Sequence, residues 1–105
     1  NDTGLKDQQI ENIKKVFSQY DHIDQILIYG SRALGNYKNA SDIDLALKGE
    51  NINSTDERKI TFDLDDLMLP YKFDINIYKR ISNKELRNHI DQFGKVIYNK
   101  KSMQP

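Results

Sequence analysis

Three short strand-forming segments, separated by stretches with helical periodicity, constrain what this chain of 105 residues can fold into. The first and third segments are rich in β-branched and aromatic residues, and the second alternates polar with apolar residues, as strands do. The segments read QILIY, SDIDLAL and FDINIY and occupy Gln25–Tyr29, Ser41–Leu47 and Phe73–Tyr78. A chain of this length forms one domain with one modest core. We therefore expect a single domain over residues 1–105, with loose polar tails at 1–4 and 100–105.

Helical patterns fill the intervals between the strand segments. Before the first strand, apolar residues recur at three-to-four spacing, as they do on one face of a helix. Ser54 with Glu57, and Ser82 with Glu85, match the capping box that opens many helices. The predicted helices cover Leu5–Tyr20, Ser54 to about Met68, and Asn83 to about Phe93, with one helical turn at Ser31–Leu34.

The order of these elements predicts an α/β or α+β fold, with a small mixed β-sheet and helices packed on one of its faces. About a dozen residues join the first two strands, including a loop at Asn36–Ala40, and this length fits either a wide hairpin or a crossover. Val96–Tyr98 is expected to add a short edge strand or a final turn.

Composition excludes several classes of protein. The chain has 16 Lys and Arg residues against 16 Asp and Glu residues, so strong nucleic-acid binding, which depends on many contacts between cations and phosphates, is not expected. The absence of cysteine excludes a disulfide scaffold, a zinc ribbon and thiol catalysis. No apolar run approaches the roughly 18 residues of a membrane span and no signal peptide opens the chain, so we expect a cytoplasmic protein.

Aspartates inside two of the strand segments are unusual, because aspartate is depleted in strands. In SDIDLAL, Asp42 and Asp44 are two positions apart, so both carboxylates are expected on one face of the strand while Ile43 and Leu45 face the core. In FDINIY, Asp74 alternates in the same way with core-facing residues. If the two strands are neighbours, three carboxylates line one polar face of the sheet.

Electrostatics decides what such an arrangement means. Two carboxylates about 4.5 Å apart repel by roughly 4 kcal/mol at an effective dielectric constant of about 20, and neither strand segment contains a Lys or Arg. Protons, a basic partner or metal ions must offset this repulsion, and a hard cation with oxygen ligands is the simplest solution. Because Mg²⁺ is usually bound by a few carboxylates, water and substrate phosphates, the aspartates predict a phosphate-bearing substrate.

The turn after the first strand suits the same substrate. Gly30 permits close approach of the backbone to a ligand, and Ser31 supplies a hydroxyl at the start of a turn whose amides favour an anion. A plain structural interpretation stands beside this one, in which the pair is only a turn and Arg32 is a surface or salt-bridge arginine. His22 and His89 match no ligand pattern and are expected at the surface or at a helix end.

Gly30-Ser31, followed after ten residues by Asp42-Ile43-Asp44, resembles the signature of the nucleotidyltransferase superfamily that includes DNA polymerase beta. The longer string GSRALGNYKNASDIDLAL is similar to the minimal nucleotidyltransferase (MNT) group. Members of this group are short bacterial and archaeal proteins, often encoded beside a HEPN-domain protein. The resemblance covers about residues 7 to 98 and implies a nucleotidyltransferase fold.

The resemblance also implies a role for each matching residue. The catalytic residues and metal ligands would be Asp42, Asp44 and Asp74, and the nucleotide-binding residues would be Gly30, Ser31 and Arg32. Two Mg²⁺ ions would clamp the attacking and leaving oxygens during in-line attack on the α-phosphate of ATP. Asp74 would also help to deprotonate the acceptor hydroxyl. Many relatives carry arginine at the position where this chain has Leu34. In this chain the arginine near that position is Arg32, two residues earlier.

The implied activity is Mg²⁺-dependent transfer of a nucleoside monophosphate, AMP from ATP, to a hydroxyl. The implied acceptor is a tyrosine of a partner HEPN toxin, which makes the chain an antitoxin. Two alternatives stay open at this point. One is a non-catalytic module that neutralises its partner by contact, and the other is a fragment of a small-molecule nucleotidyltransferase of the aminoglycoside-modifying type.

Overall fold

A computed structural model of the chain describes residues 3–38 and 41–100. The elements, in chain order, are α1 (Asp7–Phe17), β1 (Ile23–Tyr29), α2 (Ser31–Leu34), β2 (Ile43–Gly49), α3 (Ser54–Asp65), β3 (Phe73–Ile77), α4 (Lys84–Phe93) and β4 (Lys95–Asn99), with a 3-10 turn at Tyr78–Arg80 between β3 and α4.

The four strands form one mixed sheet in the order β3-β2-β1-β4. β1 pairs antiparallel with both β2 and β4, whereas β2 and β3 are parallel. The connection between the first two strands is therefore the wide hairpin and not the crossover, and Val96–Tyr98 lies in an edge strand. The predicted fold class, a small mixed sheet with helices, is confirmed.

The main core lies between one face of the sheet and helices α1 and α3. Its fully buried side chains alternate along β1 and β2, which places Ile26, Ile28, Leu45 and Leu47 on this face. Helix α1 contributes Phe17 to it, and α3 contributes residues one helical turn apart. The alternation along β2 is visible in its sequence, whereas β1 is visible there as a short apolar run.

Helix α4 lies on the opposite face of the sheet, so the prediction that all helices pack on one face is wrong for this helix. Its buried residue Ile90 joins a second apolar cluster with Leu27, Tyr29 and Ala46. The physical reason is in β1, whose residues 26–29 are buried without interruption. A strand that is apolar on both faces needs a covering element on each side.

The expected tail at residues 1–4 does not hold for Thr3, which is 3% exposed and whose carbonyl accepts a hydrogen bond from Arg32. Residues 1–2 and 101–105, which make up most of the two expected tails, lie outside the described part of the chain, as do residues 39–40 of the expected loop. None of the helices within residues 3–38 and 41–100 has the length and apolarity that a membrane crossing requires.

Helices α3 and α4 are capped one residue away from the predicted serines. The side chain of Asn53 accepts a hydrogen bond from the main-chain nitrogen of Asp56 at 2.9 Å, and the Asp56 carboxylate accepts from the Asn53 nitrogen at 3.0 Å. The α4 cap is Asn83, whose side chain accepts from the nitrogen of Leu86 at 3.1 Å. Because asparagine caps helices as well as serine does, the sequence pattern alone could not separate the two registers.

We expect Asn53→Ala to lower the free energy of unfolding by about 1 kcal/mol, because it removes the acceptor for an amide at the start of α3. Ser54→Ala is the matched control and should stay within a few tenths of wild type. Urea unfolding followed by circular dichroism measures both variants. A larger loss of stability for Ser54→Ala than for Asn53→Ala would show that Ser54 caps α3, as predicted from the sequence.

Candidate active site

Two aspartates from different strands lie side by side on the sheet face that carries α4. In the parallel pairing of β2 with β3, Asp44 is directly opposite Asp74. Side chains at paired positions of neighbouring strands emerge on the same face, so both carboxylates point away from the main core. Asp44 is half-buried and Asp74 is exposed.

Burial and charge act together on Asp44. Its pKa is raised from 3.8 to about 6, first by burial, then by the charge of Asp74, then by the charge of Asp42, with a smaller contribution from a hydrogen bond to Asp74. All of these effects disfavour the ionised carboxylate. The site is therefore short of positive charge, which a proton or a cation would supply.

Contrary to the expectation from the sequence, Asp42 lies outside β2, because the strand begins at Ile43. It lies in the coil just before the strand and is exposed, although its charge still contributes to the raised pKa of Asp44. Across residues 3–38 and 41–100, no three His, Asp or Glu side chains are grouped closely enough to hold a metal ion. The predicted three-carboxylate cluster is therefore not preassembled, and the structure shows a carboxylate pair with Asp42 beside it.

The antiparallel pairing of β1 with β2 brings the Gly30-Ser31 turn next to Asp44, the arrangement that the family resemblance implies. Gly30 has φ +74° and ψ −150°, a conformation that side-chain-bearing residues rarely adopt. A Cβ atom at this position would also collide with the Asp44 carboxylate. The backbone conformation therefore requires glycine at this position, and a side chain there would also displace the Asp44 carboxylate. Ser31 follows at the first position of α2 and is half-buried.

The prediction that Arg32 binds nucleotide is corrected by its position in the protein interior. Arg32 is 1% exposed, and its guanidinium donates hydrogen bonds to the carbonyls of Thr3 and Ser41, each at 2.9 Å. The guanidinium also lies over two aromatic rings, 5.0 Å from the ring centre of Tyr37 and 4.6 Å from that of Tyr71. These contacts give Arg32 a structural role, because they tie residue 3 to the segment before β2.

Tyr29 and Asn76 form a pair beside the carboxylates, to which the sequence analysis gave no definite role. The side-chain nitrogen of Asn76, on β3, donates a 2.7 Å hydrogen bond to the Tyr29 hydroxyl, which comes from β1. Ala46 of β2, which pairs with Asn76, is fully buried in the same cluster as Tyr29. A small residue on the middle strand leaves room for the tyrosine ring to reach across it.

Tyr29 is held in its protonated form near the carboxylates. Burial raises its pKa to about 12, the hydrogen bond from Asn76 lowers it by less, and the charges of Asp74 and Asp44 raise it further. The sequence contains only weak signals that Tyr29 and Asn76 belong to the site. Tyr29 directly precedes Gly30, and Asn76 is two residues after Asp74 on the same face of the strand.

His89 of α4 also reaches the site, which the sequence analysis missed. Its Nε2 atom accepts a 2.9 Å hydrogen bond from the main-chain nitrogen of Gly30, a residue 59 positions earlier. No local spacing relates the two residues, so no motif could have joined them. Only the docking of α4 on the site face of the sheet brings them together.

Comparison with known families identifies the class of protein. A sequence profile described as "Polymerase beta, Nucleotidyltransferase" matches residues 11–103. Because this match spans most of the chain, the protein belongs to the polymerase beta nucleotidyltransferase family. A comparison with curated protein sequences finds no significant match.

Several solved structures with a similar fold come from toxin–antitoxin systems. A crystal structure of a toxin–antitoxin with AMP-PNP matches with a TM-score of 0.73 and 17% identity, covering 89% of this chain and 75% of that chain. The toxin–antitoxin MntA-HepT matches at 0.68 and 14%, covering 92% and 75%. A tri-AMPylated Shewanella oneidensis HEPN toxin in complex with MNT antitoxin matches at 0.70 and 14%, covering 93% and 76%. The chain thus shares its fold with the MNT group.

We expect Asp44→Asn to stabilise the protein at pH 7 in the presence of EDTA, because the substitution keeps the shape of the side chain and removes a disfavoured charge. The gain should be about 1 kcal/mol, which allows for screening by water around this half-exposed group. Since the folded-state pKa is raised, the native state binds a proton more tightly than the unfolded state, and the wild type loses stability as pH rises from about 4 to about 6. The difference between the two proteins should therefore shrink as pH falls through this range.

Urea unfolding at pH 4.5 and pH 7 measures this difference, with the exposed Asp24→Asn as the control. A variant that is less stable than wild type at pH 7 would show that Asp44 contributes to folding as an ion.

For Arg32, we expect Arg32→Lys to lower the free energy of unfolding by about 2 kcal/mol, because lysine keeps the charge but lacks the planar fork and the stacking surface. The exposed Arg58→Lys on α3 is the control and should change stability by less than about 0.5 kcal/mol. Thermal and urea unfolding measure both. Full stability of Arg32→Lys would contradict the structural role.

Proposed function

We propose that this protein transfers a nucleoside monophosphate, AMP from ATP, to a hydroxyl of a partner protein. One observation carries the proposal: Asp44 lies opposite Asp74 on parallel strands while its carboxylate also contacts the Gly30 turn. A carboxylate pair next to a glycine-serine turn provides acidic groups and a close-approaching backbone at one point. This combination fits a triphosphate and a hydroxyl acceptor better than a purely structural sheet face.

The donor chemistry of the site fits Mg²⁺. Asp42, Asp44 and Asp74 offer carboxylate oxygens, the ligands that Mg²⁺ prefers, and Mg²⁺ is commonly bound by one or two carboxylates together with substrate phosphates. A closed three-ligand cage is therefore not needed. When bound, Mg²⁺ would offset the negative charge of the carboxylates and the triphosphate and would polarise the phosphate oxygens. The raised pKa of Asp44 supports this assignment, because burial and the neighbouring charges disfavour an unneutralised carboxylate.

The residues of the chain take separate parts in the proposed reaction. The acceptor oxygen attacks the α-phosphorus, the bond to the bridging oxygen of the β-phosphate breaks, and pyrophosphate leaves. The acceptor proton passes to Asp74, the exposed member of the pair and the one on the edge strand. Gly30 and Ser31 hold the triphosphate next to Asp44. The contribution of the protein is chiefly to position these groups.

The partner we propose is a HEPN toxin, modified on a tyrosine in the cytoplasm, with this chain as its antitoxin. Two similar structures support this choice: one is a toxin–antitoxin with AMP-PNP, and the other contains an AMPylated HEPN toxin with its MNT antitoxin. The exposure of Asp42 and Asp74 supports it as well, because the acceptor side of the site is open to another molecule.

Incubation with ATP labelled at the α-phosphate, Mg²⁺ and the product of the neighbouring gene, which we expect to be a HEPN protein, tests the proposal. We expect the label on the HEPN protein, and a loss of at least about 100-fold in rate for Asp44→Asn and for Asp74→Asn. The exposed Asp24→Asn should label its partner as wild type does. EDTA should abolish labelling.

A contrary result would favour a binding module. If the variant with both Asp44→Asn and Asp74→Asn neutralises the toxin as well as wild type does, without nucleotide, then contact and not transfer is the function.

A further inference from the structure

Both backbone groups of Gly30 are tied to other parts of the protein. Its carbonyl accepts hydrogen bonds from the nitrogens of Ala33 and Leu34, each at 3.1 Å, inside the short helix α2. Its N–H donates to Nε2 of His89 at 2.9 Å. Glycine has more accessible backbone conformations than any other residue, so contacts on both sides are needed to select one of them.

The orientation of the His89 ring is set by its neighbours. The ring meets the edge of Tyr29, with ring centres 6.1 Å apart and planes at 74°, and it lies 5.5 Å from the ring centre of Phe93. Because Nε2 accepts a hydrogen bond, the ring proton is on Nδ1 in this arrangement. The acceptor direction is therefore fixed by packing before any ligand arrives.

Helix α4 is anchored independently of His89. Ile90 is fully buried in the cluster with Leu27 and Ala46, and the Tyr78 hydroxyl donates a 2.6 Å hydrogen bond to Asp91. Substitution of the half-buried His89 should therefore leave the helix in place and release only the peptide group of Gly30.

We propose that His89 is a positioning residue for a nucleoside triphosphate at this site. It holds the Gly30 peptide, and through it the Ser31 position and the contact with Asp44, in the geometry that receives the phosphates. The inference rests on the proposed function. It adds to that function a residue of α4 that lies outside the motif of Gly30-Ser31 and Asp42-Ile43-Asp44. Without His89 the turn samples other conformations, and the cost of ordering it falls on ligand binding.

Calorimetric titration with AMP-PNP and Mg²⁺ compares wild type with His89→Ala and His89→Gln. One lost hydrogen bond should weaken binding by about threefold to tenfold in His89→Ala. Glutamine places an acceptor oxygen at a similar reach from the backbone, so His89→Gln should bind within about twofold of wild type. Asn88→Ala, an exposed neighbour on the same helix, is the control and should bind as wild type does.

Nuclear magnetic resonance of the Gly30 amide gives a second readout that does not depend on activity. In ligand-free His89→Ala we expect this amide to exchange with solvent faster and its proton to move upfield, with both changes reversed in His89→Gln. The rates at which the amides of Ile90 and Asp91 exchange with solvent should stay unchanged, because α4 remains docked.

Several outcomes would overturn the inference. His89→Ala that binds AMP-PNP as tightly as wild type shows that the contact is not needed, and tighter binding shows that His89 competes with the phosphates for the amide. A folded His89→Gln that binds as weakly as His89→Ala contradicts the hydrogen-bond argument. A wild type that binds AMP-PNP but labels no partner defeats the proposed function alone, whereas a wild type that binds no nucleotide defeats both.

Discussion

The parallel pairing of β2 with β3 is the interaction on which the rest of this site depends. It sets Asp44 against Asp74, two like charges on neighbouring strands, and burial makes the pair more costly than it would be in water. The apolar residues that alternate with these aspartates fill the main core on the other face of the sheet. Core packing therefore holds the carboxylates together against their repulsion.

The site is assembled from three strands of the sheet and from the helix on the same face. β1 ends in Tyr29 and leads into the Gly30 turn, β2 and β3 supply the carboxylates, and α4 reaches over the same face with His89. The continuous apolar run of β1 is what places α4 there, because both faces of this central strand must be covered. The requirement for a second covering helix has thus brought a histidine to the backbone of the glycine turn.

Arg32 shows how a residue inside a functional motif serves the structure instead. Its guanidinium holds the carbonyl of Ser41, the residue just before Asp42, and is stacked against Tyr37 and Tyr71. A charge with so little exposure is tolerated because main-chain oxygens and aromatic faces replace its water. Arg32 therefore secures Ser41, the residue that directly precedes Asp42.

By itself, the sequence determined the strand segments, the helical segments and the fold class. These depend on periodicity and on spacing along the chain, which are local properties. Only the tertiary structure decided the rest: that α4 covers the second face, that Asp42 lies outside the strand, that Arg32 is buried, and that Asn76 and His89 reach Tyr29 and Gly30. These facts depend on contacts between residues far apart in the chain, where packing and burial choose among partners that no local pattern distinguishes.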